Sequence, residues 1–256
     1  SKLAMLPMDG TAVFPADDPS TIRLQTPLPA VQTKYVTIDA SNAGVILDGS
    51  DLTDGYGIQA QAAHFTVMGL QVYHFPQTGI EVESDYCKIG GDRTIGTGPV
   101  GQGNVSSGNG LYGIRVGGWY GVVSGNMTGV DLSGQKAMPN YDGIFVSDWA
   151  FHVTVGGTSP GEANVISGNQ SINIDSWGDH TRIVGNLIGV DVTGTKGVST
   201  ETGTNIVMES GVTNNVVGGT TPEERNIISG ARCAFVFSDP NSYQCSVIGN
   251  YIGTDV

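Results

Sequence analysis

The feature that most restricts this chain is that it repeats itself. Gly125-Asn126-Met127-Thr128-Gly129-Val130-Asp131 recurs as Gly185-Asn186-Leu187-Ile188-Gly189-Val190-Asp191. It returns as Gly249-Asn250-Tyr251-Ile252-Gly253-Thr254-Asp255, so the interval is about 60 residues. A second motif alternates with it: Gly90-Gly91, Gly156-Gly157-Thr158 and Gly218-Gly219-Thr220. Each is followed by an Asn-rich stretch, of which Asn164-Val165-Ile166-Ser167-Gly168-Asn169 is the fullest example. A fixed period of this kind marks small units that cannot bury their apolar faces alone and must stack to share one core.

A shorter strand signal divides the period in two. Gly57, Gly79, Gly113, Gly143, Ser171, Asn205 and Ala234 align, and each is followed by an apolar residue, a variable one and a second apolar residue. The pairs are Ile58 and Ala60, Ile80 and Val82, Ile114 and Val116, Ile144 and Val146, Ile172 and Ile174, Ile206 and Met208, and Phe235 and Phe237. Alternation with period two buries one face and wets the other. Spacings of 22 to 34 residues between the aligned positions are one coil of a β-solenoid. The expected fold is all-β, a right-handed parallel β-helix. Residues 1–256 are read as one domain, with 1–20 as an N-terminal cap or flank and 21–256 as stacked coils cut off within the last repeat. Val36-Thr37-Ile38 and Val45-Ile46-Leu47 are assigned to the first coils.

Composition agrees and narrows the partners. There are 39 glycines, and only 14% of residues are charged, which suits short strands joined by tight turns. No run of about 20 apolar residues is present, so no membrane-spanning segment is expected. The net charge of −13 repels phosphate backbones and polyanionic glycans, which leaves neutral ligands as the easier partners. Cys87, Cys233 and Cys245 have neither metal spacing nor an even-numbered framework, and buried free thiols are preferred over a Cys233–Cys245 bridge.

The quoted Asn-Val-Ile-Ser-Gly-Asn and Gly-Asn-Leu-Ile-Gly-Val-Asp phrases resemble those of secreted bacterial right-handed β-helix repeat proteins, over roughly residues 20–256. The resemblance implies the fold and a secreted or cell-surface location. The fold hosts lyases, glycosidases, epimerases, tailspikes and carbohydrate-binding modules, among them a xylan-binding type, so it does not assign an activity. The chain is expected to be a piece of a longer protein with further domains.

Tryptophan placement is the most informative feature for function. Trp119, Trp149 and Trp177 each lie six residues beyond an aligned coil start, which predicts one column over three consecutive coils. Their neighbours are Gly, Ser, Asp and Tyr, which read as polar turn. Indole faces stack on the C–H faces of pyranose rings, and the outer two would lie about 9.6 Å apart, two coil spacings. Tyr120 would widen this platform, while Asp148, Asp175, Asp179, His180 and Glu209 would hydrogen-bond sugar hydroxyls. The competing reading has the indoles folded over the corner as cover for apolar surface.

The function expected is a non-catalytic module binding a neutral β-linked polysaccharide such as xylan or β-glucan, without nucleic acid, membrane, metal or cofactor; a calcium requirement is left open. One alternative is a glycoside hydrolase or lyase on the same face. A hydrolase needs paired carboxylates, and Asp175, Glu209 and Asp148 are the candidates. A lyase needs a base, and Arg115 is the one cation on the outward column of the main strands, with Glu81 as its expected ion-pair partner. His152 and His180 share a column but lack a third metal ligand. A second alternative is an adhesive or structural surface repeat. Asn126, Asn186 and Asn250 are read as corner residues that hydrogen-bond backbone.

Overall fold

The computed structural model describes residues 21–198, 203–209, 211–238 and 242–253. These form a right-handed parallel β-helix with three sheets of nine, seven and eight strands. Sheet one runs from Thr21–Arg23 to Tyr251–Ile252, sheet two from Ile58–Ala60 to Cys233–Phe237, and sheet three from Thr37–Asp39 to Ser246–Ile248. Every strand pairing is parallel and joins one coil to the next. The chain passes from sheet two to sheet three to sheet one within each coil, as in Ile80–Glu83, Lys88–Gly90 and Val105–Ser107. Two short 3-10 turns, Pro160–Glu162 and Pro222–Glu224, are the helical elements among the described residues. The proposed cap at residues 1–20 and the last three residues of the chain lie outside the described residues.

The core is the inward column of sheet two meeting those of the other sheets. Ile80, Val82, Ile114, Val116, Ile144, Val146, Ile174 and Ile206 are fully buried. At roughly 25 cal/mol per Å² of apolar surface, each such side chain contributes about 2 kcal/mol, realised only when the coils above and below are in place. All three cysteines are free thiols, Cys87 buried and the other two half-buried. Burial pushes the Cys87 thiol up to about 12, which keeps it an inert core residue.

One expected register is corrected. Ile144 pairs with Ile174, and Val146 with Ser176, so the coil starts at Asn173 and not at Ser171. Ile172 pairs with Thr204, outside the inward column. The cause is physical: a slip by one residue turns every side chain to the wrong face, whereas a slip by two preserves the alternation. Ile172-Asn173-Ile174 therefore imitates the core pair that Ile174-Asp175-Ser176 supplies. The outward column consequently reads Gln59, Glu81, Arg115, Phe145, Asp175, Val207 and Val236, with Asp175 where Asn173 was expected.

Two kinds of coil stack in one solenoid because both deliver an asparagine to the same interior corner. Asn104, Asn126, Asn164, Asn186, Asn226 and Asn250 form a continuous ladder, each side-chain amide donating to the next asparagine's carbonyl oxygen. Each also donates to a backbone carbonyl, as Asn164 does to Val123 at 2.8 Å. The Gly-Asn and Gly-Gly motifs are two routes into this ladder. Gly-Gly coils place their extra residues before the asparagine, in loops of which those after Gly157 and Gly219 hold the 3-10 turns. Gly-Asn coils place theirs after sheet one, in small antiparallel excursions closed by Val130–Ala137 and Val190–Gly197.

Candidate functional site: the aromatic corner

The third corner, between sheets two and three, is short. Two residues before successive strands of sheet three stand Tyr35, His64, Tyr86, Tyr120, His152 and His180, followed by Asn214 and Gln244. All eight have φ between 54° and 62°, a left-handed conformation that costs bulky residues energy. Two interactions hold it. The backbone N–H donates to the next coil, as Tyr86 does to Trp119 O at 2.7 Å and Tyr120 to Phe151 O at 2.9 Å. The rings also stack, with centroids 4.6 to 5.4 Å apart from Tyr35 through to His180. That separation is the coil spacing itself, about 4.8 Å, so the rings from Tyr35 to His152 meet face to face, while His180 is tilted by 55° against His152. His152 and His180 stand on successive coils, as expected. The ladder was not foreseen, although its signal is present in the sequence: Tyr or His, one residue, then a β-rich pair ending in Ile or Val.

The tryptophans lie just before this ladder, and all three are exposed, at 51%, 44% and 40% for Trp119, Trp149 and Trp177. They do not form the single column that their spacing suggested. Trp119 is in register with Phe151, and Phe151 with Asp179. The corner has three residues in the coil of Trp119 (Gly117 to Trp119) but five in the next (Ser147 to Phe151). The two additional residues make a turn closed by Ala150 N–H donating to Ser147 O at 3.0 Å, and Trp149 lies on that turn. Its indole is thrown back over the preceding coil. A Cβ on Gly117 would lie 2.6 Å from Trp149 Cζ2, so the absence of a side chain at Gly117 is what lets the ring lie there. Trp177 follows directly on the strand Ile172–Ser176, two positions earlier than its expected place. The insertion takes Trp149, and the slip takes Trp177, two residues away from the position in register with Trp119.

The other predicted residues divide. Tyr120 is sandwiched in the ladder between Tyr86 and His152, so its faces are used and its edge is exposed. Asp179 accepts the Thr213 N–H at 2.6 Å, a corner-stabilising contact. His180 sits against Phe151, with its Nδ1 buried and without a partner. Asp148 is exposed at the tip of the inserted turn. Glu209 pairs with the Ser238 hydroxyl at 2.5 Å. Asp175 does not align with Glu209; it pairs with Val207, two residues before it.

Asp175 has the most unusual environment. It is 8% exposed on the outward face of sheet two, and its Oδ1 has no hydrogen-bond partner. Burial raises its carboxyl to about 7, with the nearby Glu209 and Asp142 charges adding to the effect and a hydrogen bond from Trp177 opposing it. On the same face Arg115 is committed to carboxylates, Nη2 at 2.6 Å from Glu83 and Nη1 at 3.8 Å from Glu81. Its guanidinium also lies over Phe145, 5.5 Å from the centroid, and Phe145 stacks on Tyr112. Arg115 is therefore a paired cation, as its neighbour Glu81 suggested. Among the described residues no group of three or more His, Cys, Asp or Glu side chains is arranged to hold a metal ion.

Fold and site together define a class: a parallel β-helix whose loops sit at two corners and whose third corner presents an exposed aromatic strip. No protein-family model, no curated protein and no solved structure matches the chain.

Proposed function

We propose that this protein is a secreted or cell-surface glycan-binding module that holds a neutral β-linked polysaccharide, of the xylan or β-glucan kind, against the aromatic corner. One observation carries the reading: three indoles on successive coils of one corner stay 40% or more exposed, with no long loop over them among the described residues. Exposed indoles at this density are costly unless a partner with an apolar face covers them, and a pyranose ring offers such a face with hydroxyls at its edge. The charge of −13 favours an uncharged partner over an anionic one.

Affinity gel electrophoresis against neutral and acidic polysaccharides tests this. Retention by a neutral β-linked glycan is expected, with a loss of tenfold or more in Trp149→Ala. A chain retained by no polysaccharide sinks the idea.

A second reading is favoured by Asp175. A carboxyl raised by burial to about 7, so that much of it keeps its proton at near-neutral pH, beside an exposed indole and a second carboxylate, has the character of a general acid in glycoside hydrolysis. New reducing ends released from the retained glycan, and lost in Asp175→Asn, support hydrolysis; an unchanged glycan after prolonged incubation leaves binding alone.

A further inference from the structure

The corner is not uniform along the axis, and its N-terminal half contains a groove. Over four successive coils the corner is three residues long, and the Gly117-Gly118 pair of the fourth continues the line of small residues from Ala62-Ala63 and Ser84. The result is a depression of 380 Å³, within the range of about 300–1,000 Å³ that ligand sites occupy. Gln32 and Lys34 border it in the first coil, Gln61 in the second, Glu83 and Asp85 in the third. Trp149 closes its end, from its position over Gly117. At the floor the Ser84 hydroxyl is buried without a hydrogen-bond partner.

We infer that the glycan lies in this groove, parallel to the solenoid axis, with Trp149 as the stacking wall at one end and Gln32, Lys34 and Gln61 as hydroxyl-binding groups at the other. This rests on the glycan-binding reading and adds a site, an orientation and a length to it. Four coils at about 4.8 Å spacing give about 14 Å of floor, enough for about three pyranose rings laid end to end. The floor of alanine, serine and glycine gives ring faces an even bed, while the side-chain amides offer both donors and acceptors to hydroxyls. The charges cancel locally in an otherwise acidic protein: Lys34 offsets Asp85, and Glu83 is neutralised by Arg115 at 2.6 Å. That balance suits an uncharged sugar. Trp177 lies beyond Trp149, outside the groove.

Isothermal titration of the full chain with xylo- and cello-oligosaccharides of increasing length tests it. Affinity is expected to climb up to about three sugars and then level. Trp149→Ala should weaken binding at least tenfold, and Lys34→Ala with Gln61→Ala three- to tenfold. Trp177→Ala should change it less than twofold. These side chains are exposed, and circular dichroism checks that each variant keeps its β-structure. If wild-type binding is intact but Trp177→Ala costs as much as Trp149→Ala, or the Lys34–Gln61 double variant binds normally, the groove is overturned while glycan binding stands. If the wild type binds no oligosaccharide and is retained by no polysaccharide, both fail.

Discussion

The solenoid carries two ladders along its axis, asparagines from Asn104 to Asn250 and rings from Tyr35 to His180, and they use the same coil spacing for opposite ends. The asparagine ladder is inside. Asn104, Asn126, Asn164 and Asn186 have no exposed surface, and each side chain both donates to and accepts from neighbours. The aromatic ladder is outside. Its tyrosine rings use their faces on their neighbours but leave their edges in water, with Tyr35 75% and Tyr86 53% exposed. The first ladder is a closed account of hydrogen bonds and holds the coils in register. The second holds a strained corner in place and leaves a strip of surface free beside it, where the tryptophans stand. The contrast teaches that repetition alone does not mark function. The perfect repeat is structural, and the irregular neighbour of the other repeat is where a ligand can be recognised.

Breaking the inner ladder should have the largest effect. Asn164→Ala leaves the Asn126 N–H, the Val123 carbonyl and the Asn186 carbonyl oxygen short of a partner, and the cost should be about 3 kcal/mol in chemical denaturation. A loss under about 1 kcal/mol would put the two ladders on an equal footing.

Asp175 is a buried polar group with an unpartnered oxygen, and its effect per pH unit is smaller than that of breaking the inner ladder. The folded state keeps its proton up to about pH 7, whereas the unfolded chain releases it near 3.8. In that window the folded state binds more protons, so stability should fall as pH rises from about 4 to about 7 and stay low above it, by on the order of 1 kcal/mol per pH unit at the steepest. Asp175→Asn should flatten this dependence and be more stable than wild type at pH 8. Parallel wild-type and variant curves between pH 5 and pH 8 would remove the buried acid from the argument.

The outer ladder should show the smallest effect. Tyr120→Ala loses two stacking partners yet keeps a backbone φ of 59° that alanine dislikes, while Tyr120→Gly loses the same partners and adopts that conformation freely. The order wild type, Gly, Ala in thermal midpoint is expected, with about 1 kcal/mol between the two variants. Equal midpoints for the two variants would mean that the corner relaxes once the ring is gone.

Much of the architecture could be read from residue pattern. The Gly-Asn and Gly-Gly motifs mark the coils, and Ile80/Val82, Ile114/Val116 and Ile144/Val146 identify the inward face, because apolar alternation and turn glycines are local signals with local causes. The exposure of the three indoles was also suggested by their polar neighbours. Their geometry was not, since a slip of two residues at Ser171 preserves every in-and-out assignment, and nothing in the spacing marks the two extra residues between Ser147 and Phe151.

Repetition and alternation in the chain are enough to specify stacked β-coils with Ile and Val within and Asn at the corner. Which residues become neighbours across coils was decided only by the assembled solenoid. A groove ending at Trp149 requires Gly117 from one coil, a longer turn from the next and small residues from two earlier ones. No stretch of sequence contains that coincidence; it exists because parallel stacking brings positions about 30 residues apart to within about 5 Å.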